Sequence, residues 1–300
     1  KGGELAPLAV AGSRLRGIAY TSPVASAQVK SSLLLAGLYA EGVTRITEPQ
    51  RSRDHTERLF RYFGIPVRED SSAVVLQGRS VIGWSGNELP VPGDLSAAAF
   101  FAVGASIVPG SEITLTGVGI NPTRTGVLEV LTEMGADMQT LNQRDEAGEP
   151  VADLRVRSAA LHGIRIGAER IPRTIDEFPI LCVAAALAEG ETVITGAEEL
   201  RVKESDRIAT MATELGKMGA AITETPDGLI IQGSGGRETR RLRGTACTSH
   251  GDHRVAMSLA IAGLVADAPT RIEDTACIET SFPDFNDKLL ELLTNSGRGL

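Results

Sequence analysis

The sequence predicts an α/β protein assembled from repeated subdomains, and three observations predict it. Four stretches share one order: a run of small apolar residues, a turn, a short β-like run, then a helix opened by polar and charged residues. The turns fall at Gly42, Gly110, Gly190 and Ala268, spaced 68, 80 and 78 residues apart. That period is longer than a solenoid repeat, so each stretch reads as a compact β/α subdomain. Charged residues also recur at one place in the repeat, just before its second helix.

The repeats run Ser26–Val67, Ser96–Met138, Asp176–Ile222 and Asp252–Leu293. Their first helices, Ser31–Ala40, Ala97–Ile107, Ile180–Ala188 and Val255–Val265, are apolar on nearly all faces, which predicts burial. Val43–Ile46, Glu112–Leu115 and Thr192–Ile194 alternate β-branched and polar residues and read as half-exposed strands. The second helices are amphipathic: Leu59, Phe60 and Phe63 share a face, as do Val127, Val130, Leu131 and Met134. Gly64, Gly135 and Gly219 end three of them, as left-handed caps require. The polar insert NQRDEAGEPVAD between Met138 and Ile166 predicts a hairpin with an exposed tip. The Gly- and Pro-rich stretch Gly86–Asp94 marks a domain boundary. It divides the chain into residues 1–92, with one repeat, and 93–300, with three.

Composition narrows the function. Hydrophobic residues make up 42% and charged residues 23%, as in ordinary globular proteins. The net charge of −8 argues against a general nucleic-acid or anionic-membrane surface. No apolar run reaches the ~18 residues of a membrane span, and KGGELAPLAV has no signal-like apolar core. Three cysteines without a Cys-x-x-Cys spacing fit reduced thiols and a cytoplasmic setting.

Cations at helix N-termini oppose the helix dipole, so their presence points to an anion that offsets them. Arg53 lies in SRDHTER, Arg124 in PTRTG, and Lys203 and Arg207 in KESDR with Glu204 between them. The alternative is that Ser52, Asp54, Ser205 and Asp206 are plain N-caps beside solvated bases. Asp176-Glu177 before a buried helix reads equally as an N-cap pair or as a carboxylate that binds a diol or acts as a base. In SHGDHRVAM, His253 and Arg254 sit where helix N–H groups converge. Cys247, His250 and His253 could in principle ligate zinc, but no second Cys/His cluster completes a site, so no metal is expected. Phosphate-loop, dinucleotide and nucleophile-elbow motifs are absent.

As an ordered set, SPVASAQVKSSLLLAGLYAEG, SRDHTERL, PRTIDEFPI, RVKESDRI, GDHRVAM and TSFPDF resemble the 5-enolpyruvylshikimate-3-phosphate synthase family over essentially all 300 residues. The resemblance implies two domains of repeated βαβαββ-type subdomains closing over substrates, with this chain covering roughly the last two thirds and the first domain incomplete. It implies an enzyme, 3-phosphoshikimate 1-carboxyvinyltransferase, needing no cofactor. Its substrates would be shikimate 3-phosphate and phosphoenolpyruvate, with glyphosate as inhibitor and activity completed by a separate N-terminal polypeptide.

Residue by residue, the resemblance gives Ser26, Ala27, Gln28 and Arg53 to shikimate 3-phosphate. Gln28 also reaches phosphoenolpyruvate. Asp176 and Lys203 would contact the reacting 5-hydroxyl, and Glu204 would donate a proton. Arg207 and Arg254 would clamp phosphoenolpyruvate, with His253 and Arg124 behind these contacts. The Ser-Ala-Gln form resembles the class that includes glyphosate-tolerant bacterial enzymes. Thr280 departs from the family pattern, standing where many members have Lys. Two alternatives remain open: the related transferase acting on UDP-N-acetylglucosamine, and a non-catalytic fragment of the fold.

Overall fold

The computed structural model describes Pro7 and residues 9–79, 88–235 and 242–295. The chain divides into two compact units, Lys1–Pro90 and Val91–Leu300. Gly86 and Asn87 of the expected boundary, and most of the KGGELAP start, lie outside the described residues.

The first unit holds β1 (Ala19–Thr21), α1 (Ala27–Tyr39), β2 (Val43–Thr47), α2 (His55–Tyr62), β3 (Val67–Asp70) and β4 (Ala73–Gln77). Its sheet has the order β1-β2-β4-β3, with β1 and β2 parallel and the other pairings antiparallel. Leu34, Leu38, Ile46, Phe60, Ile65 and Leu76 form its core. The expectation of a first helix buried all round fails here. Only Lys30, Leu34, Gly37 and Leu38 of α1 are buried, while Val29, Leu35 and Tyr39 are exposed. Apolar composition predicts that a helix can be buried; the number of covered faces depends on its neighbours.

The second unit opens with α3 (Leu95–Ile107), β5 (Glu112–Gly119), α4 (Gly126–Glu133), β6 (Asp137–Glu146) and β7 (Glu149–Arg157), with the antiparallel sheet order β5-β7-β6. A parallel bridge from Gly93 to Val118 stands where a first strand would lie. The predicted hairpin turns at Ala147 and Gly148, whose positive φ values of 55° and 83° match a type I′ turn. Next come β8 (Arg165–Ile166), α5 (Ile171–Thr174), α6 (Phe178–Leu187), β9 (Glu191–Ile194), a 3₁₀ turn at Glu198–Val202, α7 (Arg207–Lys217), β10 (Ala221–Thr225) and β11 (Gly228–Gln232). Their order β8-β9-β11-β10 and strand directions reproduce those of β1-β2-β4-β3. The last repeat has β12 (Ala246–Thr248), α8 (His253–Gly263), β13 (Arg271–Glu273), a 3₁₀ turn at Thr275–Thr280, and α9 (Phe285–Asn295). Among the described residues it pairs β12 with β13 in parallel, with a parallel bridge from Leu242 to Ala266 beside them.

The repeat also carries a signal that pattern reading overlooked. Gly17, Gly163 and Gly244 each lie so near the strand after the first helix, or the turn leading to it, that a Cβ would fall 2.0–2.2 Å from a carbonyl oxygen. Close backbone approach, rather than flexibility, selects glycine there.

In the second unit the apolar helices α3, α6 and α8 pack on one another in all three pairings. Every residue of α3 except Ala97 is buried. Phe101 meets Phe282 and Phe285 at centroid distances of 5.9 and 5.6 Å, so TSFPDF anchors the last repeat onto α3. Burial of each such ring contributes roughly 1.5–3 kcal/mol. This packing fixes the starts of the three helices, where the charged residues lie. No helix among the described residues is long and apolar enough to cross a membrane.

Candidate functional site

Asp252 is the N-cap of α8: its side chain accepts from the N–H groups of Arg254 at 2.9 Å and Val255 at 3.4 Å. The same carboxylate takes Arg207 Nε at 2.8 Å and the Ser205 hydroxyl at 3.1 Å. Arg207 is the first residue of α7, behind its N-cap Asp206, which accepts from Ala209 N–H at 3.0 Å. One carboxylate thus joins the starts of two helices. The side chains of Arg207 and Asp252 are 1% and 0% exposed, so the pair is wholly desolvated.

Around this pair lie Asp176, Glu204 and Arg254. Arg207 Nη2 donates to Glu204 Oε2 at 2.6 Å, and Arg207 Nη1 lies 4.0 Å from Asp176 Oδ1. Arg254 Nη2 lies 3.8 Å from the same Asp176 oxygen, while Arg254 Nη1 donates to the Asp176 carbonyl at 3.1 Å. Two guanidinium groups therefore face one carboxylate, with Glu204 half exposed beside them. An anion brought here would meet the guanidinium groups of Arg207 and Arg254 at the starts of two helices.

Burial by itself would raise the Asp252 carboxyl. The hydrogen bonds and charge of Arg207, then the Arg254 N–H and Ser205, outweigh it and hold the group below the usual carboxylate range. Burial and the Arg254 charge push His253 down, against the opposing pull of Asp252 and Glu204.

A second network adjoins the first. Arg124 Nη2 donates to the Ser96 hydroxyl at 2.7 Å and pairs with Asp94 at 2.8 Å. The Ser96 hydroxyl in turn donates to Glu177 Oε1. Burial, with the neighbouring Asp176 charge, raises the Glu177 carboxyl despite the Ser96 hydrogen bond and the more distant charges of Arg254 and Arg124. Glu177 makes no capping bond through its side chain. Glu177 occupies the N-cap position of α6 in a helical conformation, continuing the turn from α5.

The Lys203 ammonium pairs with Glu199. Glu199 lies in the 3₁₀ turn Glu198–Val202, and Lys203 is the extended residue that ends it. Of the expected caps, Asp206 caps α7 through its side chain, while Asp54 holds the N-cap position of α2 without a side-chain cap bond. Ser205 bonds Asp252, Ser52 bonds Glu48 at 2.6 Å, and Asp54 takes Arg51 and Arg58 at 3.0 and 2.9 Å. Thr280 donates to the Cys277 carbonyl at 2.7 Å.

In the first unit Ser26 caps α1, accepting from Val29 N–H at 3.4 Å, and Ala27 and Gln28 form the first turn. Arg53 lies half-buried in the segment before α2. Lys30, 1% exposed, pairs with Glu48 at 3.1 Å and Glu57 at 2.8 Å and donates to the Ser52 carbonyl at 3.4 Å. It ties α1 to the segment that carries Arg53.

The zinc reading finds no support in the side-chain contacts. Cys247 Sγ approaches the Glu214 carbonyl at 3.9 Å, and His250 Nε2 meets Glu214 Oε1 at 3.0 Å. Among the described residues no group of three or more His, Cys, Asp or Glu side chains could hold a metal ion.

Sequence reasoning missed the roles of Asp252, Ser96 and Glu177. Asp252 carried a usable signal, an Asp immediately before a buried helix. Ser96 carried none, since its partners are 28 and 81 residues away.

Residues 1–289 match the family model described as EPSP synthase (3-phosphoshikimate 1-carboxyvinyltransferase). A relative from Geobacter sulfurreducens named 3-phosphoshikimate 1-carboxyvinyltransferase is 59% identical over 283 residues, covering 94% of this chain and 64% of its own length. One from Gloeobacter violaceus with the same name is 57% identical over 287 residues, 96% of this chain and 65% of the relative. A solved EPSP synthase from Acinetobacter baumannii superposes with a TM-score of 0.85 at 48% identity, over 94% of this chain and 63% of that one. The chain thus spans slightly less than two thirds of the length of these relatives. With its fold, its paired helix-start arginines and these matches taken together, the chain belongs to the EPSP synthase family.

Proposed function

We propose that this chain serves the transfer of the enolpyruvyl group of phosphoenolpyruvate to the 5-hydroxyl of shikimate 3-phosphate, with release of phosphate. The observation that carries the reading is the convergence of Arg207 and Arg254 on Asp176, with Glu204 hydrogen-bonded to Arg207. An acid, a base and two cations in one cluster are what the reaction asks for.

In this reading Glu204 protonates the phosphoenolpyruvate methylene carbon while the 5-hydroxyl oxygen bonds to the adjacent carbon and passes its proton to Asp176. The tetrahedral ketal then loses a methyl proton back to Glu204, and its C–O bond to phosphate breaks. The departing phosphate takes the proton from Asp176. Arg207 and Arg254 hold the phosphoenolpyruvate anion throughout. Lys203 orients the 5-hydroxyl after its pairing with Glu199 is exchanged for substrate. Ser26, Ala27, Gln28 and Arg53 take shikimate 3-phosphate, Gln28 also reaching phosphoenolpyruvate, while His253 and Arg124 support these contacts.

The three repeats after residue 92 are the complete domain in this reading, and residues 1–92 are the remainder of a second. Full turnover draws on the further third of sequence that the relatives possess, which a separate N-terminal polypeptide can supply. The Ser26-Ala27-Gln28 form supports glyphosate tolerance, read as inhibition by glyphosate only at high concentration. Phosphate release from phosphoenolpyruvate, measured with and without shikimate 3-phosphate, tests the central reaction. UDP-N-acetylglucosamine in place of shikimate 3-phosphate is expected to give none.

A further inference from the structure

We propose that Ser96 is a positioning residue for Asp176, acting through Glu177; the proposal rests on the function just given. Ser96 is 1% exposed and Glu177 4% exposed, so neither hydroxyl nor carboxyl exchanges its partner for water. Arg124 Nη2 donates to the Ser96 oxygen at 2.7 Å, which directs the single hydroxyl hydrogen toward Glu177 Oε1. Arg124 is itself fixed by Asp94, the N-cap of α3. The relay therefore runs from the start of α3 to the start of α6, between two repeats.

Glu177 is the joint at which this matters. Its N–H donates to Thr174 O at 3.0 Å, and its carbonyl accepts from Leu181 N–H at 3.0 Å, so it closes the turn from α5 and opens α6. Asp176 is the preceding residue. Its carbonyl is held from the other side by Arg254 Nη1 at 3.1 Å. The main chain at Asp176 is thus clamped between Arg254 and the Ser96–Glu177 contact, which sets where its carboxylate stands against Arg207 and Arg254. Burial, which pushes the Glu177 carboxyl up, adds to this, because it disfavours a second negative charge beside Asp176.

The test uses Ser96→Ala, Glu177→Gln and Glu177→Leu in the full chain. In the preparation that turns over, Ser96→Ala and Glu177→Leu are expected to lower kcat about 10- to 100-fold with both KM values near wild type, the effect of a slightly misplaced reacting group. Glu177→Gln keeps an oxygen for Ser96 and is expected to stay within a few-fold of wild type. Hydrogen exchange on the 300-residue chain gives a readout independent of turnover. Ser96→Ala is expected to speed exchange of the Glu177 and Leu181 amides roughly tenfold while β10 and β11 keep their rates. Unchanged exchange at these amides overturns the relay, and faster exchange with wild-type kcat overturns the positioning role. A wild-type preparation that transfers no enolpyruvyl group overturns the functional reading instead, and the exchange result still decides the relay.

Discussion

Arg207 and Asp252 bridge the starts of α7 and α8 through a 2.8 Å contact that neither shares with solvent. Each is placed by its own helix, Arg207 as the first residue of α7 and Asp252 as the cap of α8. The pair is therefore a structural tie between the two helix starts. Asp252→Asn keeps the cap but leaves Arg207 buried with less compensation. A loss of about 3–5 kcal/mol is expected in urea unfolding, the range for breaking a buried pair. Asp252→Ala also removes the cap and is expected to cost about 1 kcal/mol more.

The proposed acid and base are expected to separate from the proposed clamp in kinetics. Asp176→Ala and Glu204→Gln are expected to lower kcat about 10²–10⁴-fold with modest changes in KM, as removal of proton-transfer groups does. Arg254→Ala is expected mainly to raise the phosphoenolpyruvate KM. Steady-state kinetics with each substrate varied in turn distinguishes the two patterns. Near-normal kcat in both carboxylate variants removes Asp176 and Glu204 from these roles.

Opposite signs are expected for two buried carboxyls as pH changes. The Asp252 pKa is lowered in the folded chain, so its contribution is present above the ordinary Asp value of about 3.9 and is lost as pH falls through its folded value. The Glu177 pKa is raised, so the folded chain holds a proton that the unfolded chain releases above about pH 4.3. Stability from this group therefore declines as pH rises from there toward its folded pKa. Glu177→Gln is expected to remove that decline, so urea midpoints at pH 5 and pH 8 lie closer together in the variant than in wild type.

In the first unit Lys30 faces Glu48 and Glu57, all three buried. Lys30→Met strands two carboxylates and is expected to cost about 3–5 kcal/mol. Combining it with Glu48→Gln and Glu57→Gln removes the stranded charge and is expected to recover most of that loss. Denaturant unfolding of the single and triple variants, measured side by side, checks both.

Much of the fold was legible because the repeat writes the same instructions several times. The apolar runs became α3, α6 and α8, and Gly64, Gly135 and Gly219 adopt positive φ at the helix ends where they were expected. What local pattern could not give was the number of neighbours a helix has, hence the exposed face of α1. The helix-start cations were legible as a class, and Arg207 and Arg254 do meet at Asp176. Their partners were less so. Lys203 pairs with Glu199 across the end of a 3₁₀ turn that is unmarked in the sequence. Ser96 and Glu177 meet through the packing of α3 on α6, a contact across 81 residues that no local pattern encodes.

Phosphate release from phosphoenolpyruvate tests the central claim most directly. The 300-residue chain is assayed alone and together with a polypeptide supplying the N-terminal third of the Geobacter sulfurreducens relative. Release that depends strictly on shikimate 3-phosphate, is negligible with the chain alone and rises at least 10²-fold on combination is the predicted result, since single electrostatic groups are each worth about 10²–10³ in rate. Full turnover by the chain alone contradicts the need for the further segment. Absence of release in both preparations, or release that answers to UDP-N-acetylglucosamine instead, contradicts the proposed reaction.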